Sequence, residues 1–403
     1  MGSALPLTIV GLLLLYLPYR ISRGFPMTLR MVFVMIVLTK ATLVTEIHLS
    51  HIADTGHPII LDGSVDAKRY FDFGNAFLNF HPWDISHNDL ISERGASAHL
   101  GYYVVNLVAF KACPDHPILF LRLAKLLLFH IALGVLVNTW RITTTETRAF
   151  IGYLLIGVVF YQFLYYGFRN LKDDLILSVF MMIMAIADRT VAATRQRADV
   201  SFKKTIASWV VIAALLWVLS TFRFYLALAI VCAFGVHTIT GRGLKASHRV
   251  FFACAIVGGF FAIAGTTGMQ MVNERGGAGA VIGSSGNIVG LFKIFVTPLP
   301  WQHTNGMLSL PHTFYLFMLP AALWAFFVRL TVNLNWKLYL VGALALILGG
   351  FMLDYEPRKR YVMYPIFVGW ILAAGCRKEE IVGAEEAPFD PNAYFADPRN
   401  VYT

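Results

Sequence analysis

The stretch GYYVVNLVAF, residues 101–110, decides how this chain threads a membrane. It is apolar and aromatic, as a crossing helix would be. Yet ten residues at about 1.5 Å each cover about 15 Å, half of the roughly 30 Å of hydrocarbon in a bilayer. The stretch is therefore expected to lie in the interface. The segments on either side of it then face the same side, and a first outward loop runs from about 50 to 116.

The rest of the chain supports that setting. Of 403 residues, 57% are hydrophobic and 14% charged, and the mean hydropathy is +0.64. A soluble core cannot hold so much apolar surface, so the composition reads as an integral membrane protein. No long polar block is present to form a second domain, and one polytopic all-α domain over 1–376 is the expectation. Apolar runs long enough to span fall at roughly 4–19, 28–49, 117–139, 149–168, 173–189, 206–220, 222–238, 249–270, 311–329, 336–353 and 361–376, about eleven transmembrane helices. The N-terminus MGSALPLTIVGLLLLYLPYR has neither the basic start nor the small-residue cleavage site of a signal peptide, and reads as a retained first helix.

Positive charge assigns the sides. Arg20/Arg23/Arg30, Arg141/Arg148, Arg189/Arg195/Arg197/Lys203/Lys204, Arg242/Lys245/Arg249, Arg329/Lys337 and Arg377/Lys378 occupy every second connection, which places those connections in the cytoplasm. The net charge of +10 is thereby explained by topology, and no nucleic-acid partner is implied. The tail 377–403 is short, polar and cytoplasmic on this reading. The four cysteines, Cys113, Cys232, Cys254 and Cys376, show neither metal-ligand spacing nor a disulfide framework.

The outward face gathers what the cytoplasmic face lacks. ILDGSVDAKRYFDFGNAF (60–77) places Asp62, Asp66 and Asp72 beside Lys68, Arg69 and Tyr70, in or next to an amphipathic helix expected to lie flat on the membrane. FRNLKDD (168–174) is an outward turn with Arg169, Lys172, Asp173 and Asp174, and STFRFY (220–225) is another, holding Arg223. LDYEPRKRY (353–361) is a third, with Arg358, Lys359 and Arg360 where positive residues are normally scarce. Anionic headgroups suit such a triplet, and pairing with Asp354 and Glu356 in the same turn is the bland alternative.

Arg223, almost alone between apolar runs, either snorkels at a helix end or meets an anion. Arg122 and Lys125, about one turn into the third span, invite the same two readings. Lys40 and Glu46 on the second span are either a pathway or simply water-reaching charges. A carboxylate among cations at a membrane surface can act as a general base on an acceptor hydroxyl while the cations hold a phosphate leaving group.

Asp66, Arg69 and Tyr70 in DAKRY, the interfacial aromatic helix after them, a second one in HLGYYVVNLVAF, and HPILFLRLAKLLL opening the next span together resemble the C-type (GT-C) polyprenyl-phosphate-dependent glycosyltransferases. YYGFRNLKDDLILSVFMM and YEPRKRYVMYPIFVGWILAAG resemble two further segments of that superfamily and of related bacterial polysaccharide enzymes. The resemblance implies a bacterial cytoplasmic-membrane enzyme working on the periplasmic face. Its donor would be a polyprenyl-phosphate- or diphosphate-linked sugar, and its acceptor a glycan or a lipid-linked glycan. Asp66 takes the catalytic position, and Ala67 departs from the second acidic residue of many members, leaving Asp72 or a divalent metal as the substitute. Otherwise no cofactor is implied.

Arg69, Tyr70, Arg169, Lys172, Asp173, Arg223, Arg358, Lys359 and Arg360 become substrate-binding candidates. The glycine-rich segment 271–310 reads as a loop closing over the substrate, with Trp301 and His303 as sugar-stacking candidates or Trp301 as an interfacial anchor. The six histidines between 48 and 99 lack metal-ligand spacing, so no metal ligand is assigned. A Wzy-type polymerase of lipid-linked repeat units and a lipid-linked glycan flippase or transporter are the two other readings.

Overall fold

The computed structural model describes residues 4–58, 65–76, 100–159, 172–195, 202–240 and 362–374, with scattered positions between 247 and 325. Among these residues the regular structure is helical and no strand occurs. Helix α1 (Ala4–Ile21) passes through a short 3₁₀ turn, Ser22–Gly24, into α2 (Met27–Thr55). Two short helices follow, α3 (Val65–Ala76) and α4 (Leu100–Ala112). Next come α5 (Pro117–Thr143), α6 (Glu146–Leu154) with a π-helical turn at Leu155–Val159, α7 (Asp173–Arg195), α8 (Phe202–Thr240) and α9 (Met363–Ala374).

Local sequence explains several of these boundaries. Pro117 sits at the first position of α5, where its missing N–H costs nothing. Thr145 caps α6, its hydroxyl accepting from the Arg148 amide at 3.4 Å, with Glu146 in the first turn to meet the helix dipole. Gly56 ends α2 at φ 70°, a left-handed cap that lets its amide return to Ile52 O.

Among the described residues, four segments are long and apolar enough to cross a membrane: Ala4–Gly24, Met27–Thr55, Pro117–Arg141 and Lys204–Arg223. They coincide with the first, second, third and sixth expected spans. In the third, 67% of the apolar window is buried inside the protein, against 17% in the first, so α5 is the central helix and α1 peripheral. The outward side of the peripheral helices is apolar, with Leu5, Leu12, Tyr16, Met35, Leu49, Val210 and Trp217 all exposed. Such a surface suits hydrocarbon and would be costly in water. At 13 residues, about 20 Å long, α4 is too short to cross. The expected spans at 336–353 and over much of 249–270 and 311–329 lie outside the described residues.

Contacts between helix ends fix which ends lie together. At one end, Asn138 Nδ2 donates to Ile21 O at 2.6 Å, Arg141 donates to Gly24 O, and Arg189 Nε donates to Thr139 Oγ1 at 2.8 Å. At the other end, α2, α5, α7 and α8 meet through His48, Arg122, Lys125, Asp173, Asp174 and Arg223. Helices α5 and α7 therefore run parallel, from the second of these ends to the first, and α2 and the part of α8 before Arg223 run the opposite way.

Small residues set the close approaches. A Cβ on Gly152 would lie 2.8 Å from the Trp140 ring and 2.6 Å from Leu372 Cδ1, and one on Gly369 would lie 3.2 Å from Trp140 Nε1. Trp140 is thus wedged between α6 and α9. Gly101 plays the same part where α4 meets α8, since a Cβ there would collide with Thr221 Oγ1 and come within 3.0 Å of the Phe222 ring. The next residue, Arg223, breaks α8 with φ −152° and ψ 91°, at the position where the sequence places an outward turn.

Candidate functional site

The inward stripe of α2 reads Phe33, Val37, Lys40, Val44, His48, three to four residues apart, and all five are buried. Helical periodicity therefore aims a lysine and a histidine at the core together with the apolar residues. On α5, Arg122 and Lys125 are three residues apart and share a face, with exposures of 3% and 2%. These two stripes run antiparallel, and α7 supplies two acids at its N-terminus.

Three contacts join them. Lys125 Nζ lies 3.2 Å from Asp174 Oδ2, Arg223 Nη2 donates to Asp173 Oδ1 at 2.5 Å, and Arg122 Nη1 donates to His48 Nδ1 at 2.6 Å. A guanidinium only donates, so Nδ1 must be the acceptor, which keeps the imidazole neutral with its proton on Nε2. Lys40 stands deeper, its ammonium 5.4 Å from the centre of the Phe129 ring, within reach of the Asp174 charge. Its Nζ is buried and has no hydrogen-bond acceptor among the described residues. Below it, Tyr153 Oη lies 3.3 Å from His130 Nδ1 and 3.4 Å from Phe33 O.

Among the described residues the cluster therefore holds Lys40, Arg122, Lys125 and Arg223 against Asp173 and Asp174, with Lys172 also buried beside the acids. The excess is cationic. Removing such charges from water is costly unless counter-charges and hydrogen bonds compensate. Tyr102, fully buried on α4, faces the same acids. Burial first, and the Asp174 carboxylate second, hold its phenol well above the ordinary tyrosine value, so it is present only as a neutral phenol.

The first-loop candidates divide by face. Ala67, Tyr70 and Gly74 form the inward stripe of α3, and Tyr70 packs edge-on against Tyr102 at 4.6 Å and against Tyr103 at 5.1 Å between centroids. Gly74 leaves room for the Phe110 ring, 2.6 Å from where a Cβ would sit. Tyr70, expected as a substrate contact, is buried and packs α3 on α4. Lys68, Arg69 and Asp72 are exposed on the opposite side. Asp66 lies in the first turn of α3.

Arg223 and Asp173, expected separately as substrate contacts, are brought together and occupy each other. Lys172 joins them in the buried cluster. Arg169, Trp301, His303, Arg358, Lys359 and Arg360 lie outside the described residues. What sequence reading treated as minor, the stripe of Lys40 and His48 facing Arg122 and Lys125, is the part the fold assembles most completely. The signal was present in the spacing: charges at 40 and 48 on one helix and at 122 and 125 on another each continue an apolar stripe. No group of three or more His, Cys, Asp or Glu placed to hold a metal occurs among the described residues. Comparison of the chain with protein-family models, with characterised proteins and with solved structures finds no match, so the functional reading rests on this cluster.

Proposed function

We propose that the chain is a membrane glycosyltransferase that moves a sugar from a polyprenyl-phosphate-linked donor to a glycan or lipid-linked acceptor, at the bundle end assigned to the outside of a bacterial cytoplasmic membrane. The observation that supports this reading best is the cation-rich buried cluster of Lys40, Arg122, Lys125 and Arg223 around Asp173 and Asp174. It lies next to the two short helices of the first outward loop, whose Tyr102 faces the same acids. A phosphate leaving group needs such cations, because negative charge builds on it as the glycosidic bond breaks.

In the reaction, Asp66 or Asp72 takes the proton of the acceptor hydroxyl. The acceptor oxygen forms the new bond to the anomeric carbon as the bond from that carbon to the phosphate oxygen breaks. The lipid phosphate departs with the electron pair and is held by the cluster. Lys68 and Arg69, exposed on α3, offer a second cationic place distinct from the buried one. Two such places favour the second reading, a Wzy-type polymerase that binds two lipid-linked chains at once.

The test is product formation by the protein in nanodiscs from a polyprenyl-phosphate-linked sugar, followed by mass spectrometry. Asp66→Asn is expected to abolish turnover while donor binding persists, and normal turnover by this variant would remove Asp66 as the base. If the wild type forms no product yet carries the donor across vesicle membranes, the chain is a carrier and the enzyme reading fails. Elongation of a lipid-linked oligosaccharide by whole repeat units would select the polymerase.

A further inference from the structure

We propose that the contact between His48 and Arg122 is an acid-sensitive latch that holds the hairpin of α1 and α2 against α5. The proposal goes beyond the reaction proposed above, and its test needs no turnover.

The two ends of that hairpin are held differently. At one end Asn138 Nδ2 donates to Ile21 O at 2.6 Å and Arg141 donates to Gly24 O, bonds between groups that keep their charge from pH 5 to 8. At the other end the packing is a small apolar cluster of its own, in which Val10 of α1 and Val44 of α2 meet Leu119, Leu123 and Leu126 of α5. His48 lies about one turn beyond Val44. It is 1% exposed, and its Nδ1 accepts from Arg122 Nη1 at 2.6 Å. Only 17% and 28% of the apolar windows of the first two spans are buried inside the protein. A unit with so few buried contacts is where local opening begins.

Protonation of His48 acts on this contact twice. The imidazolium carries two N–H groups and no free acceptor, so Arg122 loses its partner on the ring. The ring also becomes a cation against a guanidinium, in a buried setting where like charges are poorly screened. The neighbouring groups do not offset this. His116, at the cap of α5, and His51, about one turn along α2, lie within reach of the ring and repel it when charged, as Arg122 does. Lys125 and Lys40 stand about one and two turns deeper on the same stripes. Asp173 and Asp174 of α7 are held by Arg223 and Lys125. Glu46, Asp54 and Asp115 are exposed, residues 4–15 of α1 include no titratable side chain, and no carboxylate pairs with His48 among the described residues. The latch is therefore complete above the ordinary histidine range near pH 6.5 and is lost as the pH falls below it. Histidines at moving interfaces act as pH sensors in this way.

Hydrogen exchange of the full chain in zwitterionic nanodiscs, corrected for the intrinsic pH dependence of exchange, reads the latch directly. An imidazole released by opening titrates near pH 6.5, so a single proton raises the open population about tenfold between pH 7.5 and 5.5. The rise is expected in α2 around His48, residues 44–55, and not in α5 beyond Phe129. His48→Asn keeps an acceptor at the position of Nδ1 and takes up no proton. It should retain most of the protection at pH 7.5 and lose the acid response. His48→Gln provides the same comparison should the asparagine variant fail to fold. Arg122→Gln replaces the guanidinium by an amide whose oxygen accepts from a protonated ring, so its acid response should be smaller than that of the wild type. No rise in the wild type between pH 7.5 and 5.5, or an equal rise in His48→Asn or His48→Gln, overturns the proposal. An equal rise in Arg122→Gln overturns it as well, because burial of the ring alone would then account for the response.

Discussion

Asp174→Asn and Lys125→Met break the same ion pair, yet they should not cost the same. Asp174 Oδ2 and Lys125 Nζ are 3.2 Å apart, and their side chains are 8% and 2% exposed. Removing one partner of a buried pair typically costs about 3–5 kcal/mol, because the other is left as an uncompensated charge. Asp174→Asn removes the carboxylate that is paired with Lys125 and within reach of Lys40, and should incur that full loss. Lys125→Met leaves Asp174 with Lys40, whose ammonium already lies within reach of its charge. The loss should then fall to about 1–3 kcal/mol, the range for a weakened charged hydrogen bond.

With an unfolding entropy near 2.1 cal/mol/K per residue, a 403-residue chain converts 3–5 kcal/mol into about 4–6 °C. The assay is thermal unfolding in nanodiscs without phosphate, with kinetic stability at fixed temperature as a check on irreversibility. The double variant, which removes both charges, should recover most of the Asp174→Asn loss, since it deletes one of the stranded cations. Equal losses for the two single variants, or a larger loss for Lys125→Met, would refute the idea that Asp174 serves two lysines.

Other positions give independent checks. Gly152→Val should cost about 1–3 kcal/mol by overpacking against Trp140 and Leu372, seen as a lower thermal midpoint, with Gly152→Ala intermediate. Arg223→Met should destabilise by stranding Asp173, which is 2.5 Å away, and Arg223→Met/Asp173→Asn should restore most of the midpoint. Tyr70→Ala removes a ring packed on Tyr102 and Tyr103 and should cost about 3–5 kcal/mol of local stability. Hydrogen exchange should then rise in α3 and α4 while α5 and α7 keep their protection. Tyr70→Phe should behave as the wild type in both stability and turnover, and a large turnover loss in that variant would restore Tyr70 as a substrate contact.

How far the sequence leads depends on what each residue has to contrast with. Length and hydropathy place α1, α2, α5 and the first half of α8, because nothing but a spanning helix presents some twenty apolar residues in a row. The ten-residue stretch at 101–110 reads as non-spanning by the same arithmetic, and α4 is indeed a short helix lying between α3 and α8. Arg223 stands out because it interrupts apolar runs, and the helix does break there.

Its partner could not be read in the same way. The bond to Asp173 crosses fifty residues of chain, and no local pattern tells which of several outward acids a guanidinium meets. The same limit applies to Lys40. In sequence it is a charge in the outer half of a span, with Glu46, where it reads as reaching water or headgroups rather than as part of a pathway. Only the packing of α2 on α5 shows that the stripe from Phe33 to His48 faces Arg122 and Lys125, so that the charge points inward. Tyr70 carries two signals at once: its motif neighbours Asp66 and Arg69 suggest chemistry, and the helical spacing of Ala67, Tyr70 and Gly74 marks a packed face. Where a motif and a periodicity compete for one residue, the periodicity is the stronger guide to its side chain, because burial acts on every turn of a helix and chemistry on only a few.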